Sequence, residues 1–510
     1  MLAHGAPRGK SAPVPPDADS APPVSRVARL RAFYPRDLAM ALLVLLGLSL
    51  PFWRLTSPDF FWHVKTGELI VRNLAPPTSD VFSFTNEGKH WVDHEWLSQL
   101  FMYGLYGAAG YAGSALVFAA IGLVSVLVGY QLMRRLNVPE VLALGLTALG
   151  IVLGFEFWIV RPAPISAALL GLVYYNCYLF RRGRARSLWP VVPLMVLWAN
   201  VHGGYVLGLV LVGLLVVVEL IAGGLAGPRF RHAARVGVIA FLVTGLNPYT
   251  YELWLYPFTY FVGDNHSIAI VSEWQAPQLF HSLGSIPLGV TILAFVALGA
   301  SSGKADLWRI GVALLFTFFA LQSARHQLFF AVVIPPLLGD LVAERWPGLL
   351  ELPRRPISAL LSFANLAAVV LVAAITVQTV ATLGFQTGDT PKLNAAALPF
   401  PVDGANFISR NYPQSRVFNE YAWGGYLIYE NWPEMKVFID GRADLHGDLL
   451  AEYEVVWAGR PGWDRILDRY SIDAVIFGSN SDLARLLRSD ARWEEAFIGP
   501  YESVFVRAGE

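Results

Sequence analysis

For its first three quarters the chain alternates between long apolar runs and short polar intervals. A helix needs about 20 apolar residues to cross a bilayer, fewer where flanking side chains reach back to the surface. On that measure eleven runs qualify as spans: 37–54, 110–133, 139–160, 163–180, 187–201, 204–226, 233–248, 284–301, 306–321, 325–344 and 357–384. The longest polar interval, 58–96, lies between the first run and the second. Residues 103–111 lead into the second run and are expected to form a helix lying in the interface. The first 25 residues are rich in Pro, Ala and Ser without the apolar centre of a cleavable signal. Residues 1–36 therefore read as a disordered cytoplasmic tail, and the first run as an uncleaved anchor.

After residue 384 the pattern changes to short mixed segments. The stretches 416–421, 427–429, 436–440, 474–477 and 503–506 are rich in Val, Ile, Phe and Tyr and predict strands. The stretches 405–411, 449–456, 463–470 and 482–490 predict helices. The expected fold class is an α-helical polytopic membrane protein of about eleven spans, residues 37–384 with a large outer loop at 55–109, followed by an α/β domain at 385–510. No internal repeat of the kind that marks many transporters is visible.

Composition agrees. Of 510 residues, 55% are hydrophobic and 15% charged, against about a quarter charged in soluble proteins, and the mean hydropathy is +0.48. The net charge of zero gives no basic signal for nucleic acid. The single cysteine, Cys177, excludes an internal disulfide and a cysteine metal site. Placing the N-terminus in the cytoplasm puts eighteen Lys and Arg on the inner segments, among them Arg134, Arg135, Arg181, Arg182, Arg229 and Arg309. Six fall outside: Arg54, Lys65, Arg72, Lys89, Arg161 and Arg325. Positive charge collects on the cytoplasmic side, so the odd number of spans leaves the C-terminal part outside the cytoplasm.

That topology gathers the unusual polar residues on one face. Asp59, His63, Asp93, His94 and Glu95 lie in the first outer loop among Trp62, Trp91 and Trp96; Glu156 and Arg161 end the third span. Asn200 and His202, Asn247, Glu273 with Trp274, and Arg325 with His326 occupy later outer loops. Ionisable groups beside a membrane are costly and mark function. Asp59 and His63, four apart, share a helix face and suit a shared metal or proton; equally, Asp59 after Ser57-Pro58 suits a helix N-cap. The Asp93-His94-Glu95 run suits either an active site or the acidic first turn of the next helix. Arg161, Arg325 and His326 suit phosphate binding or headgroup anchoring, and His202 sits beside two glycines that permit close approach.

A first outer loop with acidic residues, many spans and an outer α/β domain together resemble the GT-C glycosyltransferases, integral membrane enzymes that use a polyprenyl-phosphate sugar donor. The class includes protein O-mannosyltransferases, lipid A aminoarabinose transferases and oligosaccharyltransferase catalytic subunits. The resemblance implies a bacterial cytoplasmic (inner) membrane enzyme that glycosylates a glycan, lipid or protein acceptor of the envelope. It places Asp59 at the position of the early catalytic acid, with Asp93 and Glu95 as a second acidic group. Tyr421, Trp423, Gly424, Gly425 and Tyr426 stand where the oligosaccharyltransferases carry an acceptor-reading tryptophan–aspartate–tyrosine–glycine motif, without its tandem tryptophans or its aspartate. It further implies substrate contacts from Arg161, His202, Glu273, Arg325, His326 and Trp423, and a divalent cation, Mg or Mn, on Asp59, His63 and His94. The rival readings are a lipid or polysaccharide transporter, which needs polar groups near the bilayer midplane, and a non-catalytic component of a polysaccharide assembly.

Overall fold

The computed structural model describes residues 34–49, 57–260, 271–277, 285–300, 306–349, 358–384 and 400–509. The expected tail, apart from residues 34–36, and Arg54, Lys304, Arg354 and Arg355 lie outside the described residues.

In chain order the helices are α1 Pro35–Ser49, α2 Phe60–Asn73, α3 Trp96–Arg135, α4 Glu140–Gly154, α5 Ala163–Arg181, α6 Val191–Val201, α7 Tyr205–Gly223 and α8 Pro228–Val243. There follow α9 Glu252–Leu255, α10 Ser285–Ala300, α11 Leu307–Gln322, α12 Gln327–Arg345 and α13 Ala359–Gly384. The remainder runs α14 Val402–Asn411, β1 Val417–Asn419, α15 Gly424–Asn431, α16 Ala443–His446, α17 Leu449–Trp457 and α18 Trp463–Arg469. It ends β2 Ala474–Gly478, α19 Asp482–Ser489, β3 Trp493–Ile498 and β4 Glu502–Arg507.

Each of the eleven apolar runs meets one of these helices. Five helical stretches among the described residues are long and apolar enough to cross a membrane: Trp96–Arg135, Ala163–Arg181, Tyr205–Gly223, Ala324–Arg345 and Leu360–Gln378. Shorter apolar helices accompany them, α4, α6 and α11 among them. This is a multi-pass membrane architecture. Helix α3 contains the interface segment and the second run, joined at Gly110, whose φ of +64° and ψ of −168° break the helical path. A side chain would strain that backbone, so glycine lets the chain turn between the two segments.

The two ends of the helix bundle differ. Where α5 ends and α11 begins, arginines and acids neutralise one another: Arg309 Nη2 lies 2.7 Å from Asp340, Arg181 pairs with Asp306 at 3.1 Å, and Tyr178 donates to Asp340 at 2.6 Å. At the other end of α5 lie Arg161 and the polar cluster described below. The 19 residues of α5, at 1.5 Å each, separate these ends by about 28 Å.

The C-terminal strands form one sheet in the order β1-β2-β4-β3, with β1 and β2 parallel and the other pairs antiparallel. Both faces are covered. Ala474, Ile476, Val504 and Val506 face one core, while Val475, Phe477 and Phe505 face another, as the period of two in a strand requires. The first of these cores also holds Phe60, Phe61, Phe82 and Trp91 from the first loop. The loop and the C-terminal part are therefore packed together, which brings both to the site.

Two strand expectations are corrected, and one strand was not expected. Residues 427–429 are helical, within α15, where Tyr426, Leu427 and Ile428 are all buried; burial all round removes the periodicity that separates helix from strand. Residues 436–440 form no ladder, and Val437 makes single bridges to Ser83 and Val417. Strand β3, with Glu494 and Glu495 on its half-exposed length, carries no apolar alternation to announce it.

Candidate active site

The start of α2 and the start of α3 present the acids. Asp59 occupies the N-cap position of α2, yet its side chain caps no backbone N–H. Its Oδ1 instead accepts from Trp62 Nε1 at 3.2 Å. Glu95 likewise precedes α3 without capping it. Asp93, 2% exposed, accepts from Gln99 Nε2 at 2.7 Å.

Three imidazoles ring the Glu95 carboxylate: Nε2 of His202 at 3.5 Å, of His63 at 3.7 Å and of His94 at 3.9 Å. His202 Nδ1 accepts the Gly204 backbone N–H at 2.9 Å. That nitrogen is then bare, and the ring proton sits on Nε2, facing Glu95. His202 is held by its place after α6, where Asn200 accepts from Trp96 Nε1 at 2.9 Å and from Asn247 Nδ2 at 3.2 Å. Asn200 thus fastens α6 to the start of α3, and Asn247 ties the stretch after α8 to the end of α6.

The cations arrive from later stretches. Arg161, 8% exposed, donates to Glu273 Oε2 at 2.7 Å. Ser323 Oγ donates to the Glu273 carbonyl at 2.9 Å, tying that segment to the turn that carries Arg325. The Arg325 guanidinium lies 4.2 Å from the Trp274 ring centre, and among the described residues no carboxylate forms an ion pair with it.

These groups line one cavity of about 510 Å³. Asp59, His63, Asp93, His94, Glu95, Arg161, His202, Glu273 and Arg325 all border it. Two residues expected at the site do not. His326 points away, between the rings of Phe319 and Phe329, and Trp423 is buried in the core beneath α15. Tyr421, at the other end of the same short turn, reaches the cavity instead. Tyr256 and Asp444, absent from the sequence reading, also line it; Tyr256 donates to Asp444 Oδ2 at 2.8 Å and its ring lies 4.5 Å from that of His94. Gly441 and Arg442 complete the wall. Nothing in the sequence says that the 440–442 turn folds back across the chain to residue 59.

Burial dominates the electrostatics. It pushes Asp59 up to about 6, aided by the Glu273 charge and opposed by Arg161. It pushes Asp93 up to about 7 against the Gln99 hydrogen bond, and Glu95 well above the carboxylate range, reinforced by Asp93 and Asp59. The same burial lowers His63, His94 and His202, so the three rings are neutral. Glu273 goes the other way: burial raises it, but Arg161 and Arg325 outweigh that and hold it at about 2. The expected divalent-ion set of Asp59, His63 and His94 is not assembled as a metal site among the described residues; His63 and His94 gather with His202 on Glu95 instead.

In fold the chain is similar to solved structures of GT-C membrane glycosyltransferases. Among them is the oligosaccharyltransferase AglB of the archaeon Archaeoglobus fulgidus, in complex with an inhibitory peptide and a dolichol-phosphate. It matches with a TM-score of 0.59 at 11% identity, over 86% of this chain and 69% of that one. The Archaeoglobus fulgidus oligosaccharyltransferase tethered with an acceptor peptide matches with a TM-score of 0.54 at 12% identity, again over 86% and 69%. ArnT from Cupriavidus metallidurans bound to undecaprenyl phosphate aligns over 92% of this chain and 97% of that one, at 15% identity and a TM-score of 0.48. No protein-family model matches the sequence, and no curated protein does.

Proposed function

We propose that the protein is a glycosyltransferase of the outer face of a bacterial cytoplasmic membrane, moving a sugar from a polyprenyl-phosphate donor to a glycan, lipid or protein acceptor of the envelope. The observation that carries this reading is the convergence of Asp59, Glu95, Arg161, His202, Glu273 and Arg325, from six separate stretches, on one cavity. The similarity in fold to AglB, seen with dolichol-phosphate, supports a lipid-phosphate donor.

In the proposed reaction the acceptor oxygen or nitrogen attacks the anomeric carbon of the donor sugar. The bond from that carbon to the phosphate oxygen breaks, and polyprenyl phosphate leaves with the electron pair. A single displacement of this kind inverts the anomeric centre. The proton released by the acceptor passes to Asp59, which at about 6 is ionised at neutral pH yet a better base than an exposed carboxylate. The leaving group is already a phosphate and needs positive charge more than an acid. Arg325 supplies it, because Arg161 is engaged with Glu273. Glu273, held at about 2, stays charged and fixes Arg161 rather than taking protons. Glu95 and Asp93 form the second acidic group, with His202, His63 and His94 orienting Glu95. The rings of Trp62, Trp274 and Tyr256 offer faces on which a sugar can stack.

The test is direct. Purified protein is given a panel of polyprenyl-phosphate sugars with envelope extracts as acceptor, and released polyprenyl phosphate is measured. Release supports a transferase; a transporter or a scaffold releases none.

A further inference from the structure

The C-terminal part reaches Asp59 through one turn, 440–442, and an ion cluster fixes that turn. Arg442 is 2% exposed. Its Nε and Nη2 donate to the two oxygens of Asp440 at 2.8 and 2.6 Å, and its Nη1 stands 2.9 Å from Asp80. The guanidinium lies against the rings of Trp91 and Phe82, 4.7 and 5.1 Å from their centres. Asp80, Phe82 and Trp91 belong to the first loop and Asp440 to the C-terminal part, so one side chain joins the two. Asp80 is itself fixed, accepting the Phe82 N–H at 2.9 Å.

The residue before Arg442 has no room for a side chain. A Cβ added to Gly441 would overlap Oδ1 of Asp59, lie 3.3 Å from its Cγ, and come within 3.0 Å of Trp62 Nε1, the group that donates to that same oxygen. The Gly441 backbone is therefore pressed against the carboxylate, and the Tyr421 hydroxyl donates to the Gly441 carbonyl at 3.3 Å from the cavity side.

We propose that Arg442 is a positioning residue: by clamping Asp440 to Asp80 it sets the Gly441 backbone against Asp59 and fixes the direction in which that carboxylate faces the cavity. Planarity and a two-pronged contact suit arginine to this, and lysine lacks both. The consequence for turnover rests on the reading of Asp59 as the base; the mechanical claim does not.

The experiment separates the two. The full-length protein with Cys177→Ser carries the pair Asp59→Cys and Gly441→Cys, since a Cβ at position 441 lies 3.3 Å from the Asp59 Cγ, the position a cysteine sulfur takes. Cross-linking under a mild oxidant is followed by loss of maleimide labelling. The bridge is expected to form readily, and about tenfold more slowly once Arg442→Lys removes the fork. An unchanged rate overturns the proposal. Asp80→Asn, which leaves Arg442 and Asp440 in place, is expected to slow bridging in the same direction and replaces Arg442→Lys if that variant does not yield monodisperse protein. In the transfer assay Gly441→Ala, which displaces the carboxylate, is expected to lower kcat about a hundredfold with donor KM held within about twofold. Where Asp59→Asn abolishes turnover, a wild-type kcat for Gly441→Ala also overturns the proposal; where Asp59→Asn turns over normally, it is the reading of Asp59 as the base that fails. Should the wild type release no polyprenyl phosphate, the transferase reading fails while the cross-linking rates still decide the role of Arg442.

Discussion

Arg161 and Glu273 hold each other at 2.7 Å in the cavity wall, and that pairing sets the two arginines of the site apart. Arg161 is neutralised where it stands. Arg325, stacked on Trp274, keeps its charge for a ligand. Arg325→Gln should therefore lower kcat/KM for a polyprenyl-phosphate donor by about 10- to 100-fold, the loss of one hydrogen bond to a charged group, with kcat falling because the charge that grows on the leaving phosphate loses its partner. Arg161→Gln should act differently: Arg161 is the buried member of the pair, and its loss leaves the half-buried Glu273 without its hydrogen-bonded partner, so the melting temperature falls together with activity. Steady-state kinetics beside thermal unfolding separates the two.

Asp59 accepts a hydrogen bond from Trp62 and caps nothing. Asp59→Asn keeps an acceptor oxygen for that indole and should fold normally. If Asp59 is the base, kcat falls by about 10²- to 10⁴-fold while donor binding, followed by quenching of tryptophan fluorescence, is retained.

Two consequences of pH follow from the raised carboxyls. The base must be ionised, so kcat/KM should rise with pH through a limb near 6, set by Asp59, and Asp59→Asn should lack that limb. Stability runs the other way. A carboxyl whose pKa is higher in the folded state binds more protons there, so folding loses stability as pH rises from its unfolded value toward its folded one. For Asp93 that interval is from 3.8 to about 7. Between pH 5 and pH 8 the wild type should lose more thermal stability than Asp93→Asn; equal losses would contradict this.

Arg442 stands between Asp440 and Asp80, all three buried. Arg442→Met leaves two buried carboxylates without their cation, and breaking a buried pair in this way costs about 3–5 kcal/mol. The drop in melting temperature should be smaller in the Arg442→Met/Asp440→Asn/Asp80→Asn combination, where the stranded charges are gone.

The proposed topology puts the C-terminal part outside the cytoplasm. A tag after residue 509 should be cleaved by protease added to intact cells, after the outer membrane is opened if there is one. A protected tag would invert the orientation and move the site to the cytoplasmic face.

Much of this was legible in the sequence, and for a physical reason. Apolar runs of span length persist whatever they pack against, so the helices α5, α7 and α12 follow from composition alone. Asp59, Arg161, His202 and Arg325 stood out because charge beside such runs is costly without a purpose, and all four border the cavity. The limits are equally physical. His326 follows Arg325 directly, yet one residue along a turn reverses a side chain, and it packs on Phe319 rather than at the site. Trp423 sits two residues from Tyr421, and only the latter lines the cavity. Gly441, Arg442 and Asp444 lie more than 340 residues from Asp59 in a segment read as a separate domain; no local pattern encodes a contact at that separation. Tyr256, in an apolar aromatic stretch, looked like any interface tyrosine.

The most direct test of the central claim follows polyprenyl phosphate released by the wild type and by Asp59→Asn under identical conditions, with donor binding measured on both. The account predicts release by the wild type, near-complete loss in the variant, and donor binding by both. A folded Asp59→Asn protein that transfers sugar at the wild-type rate would contradict the assignment of the base, and a wild type that binds donor yet releases nothing with any sugar or acceptor would contradict the enzyme itself.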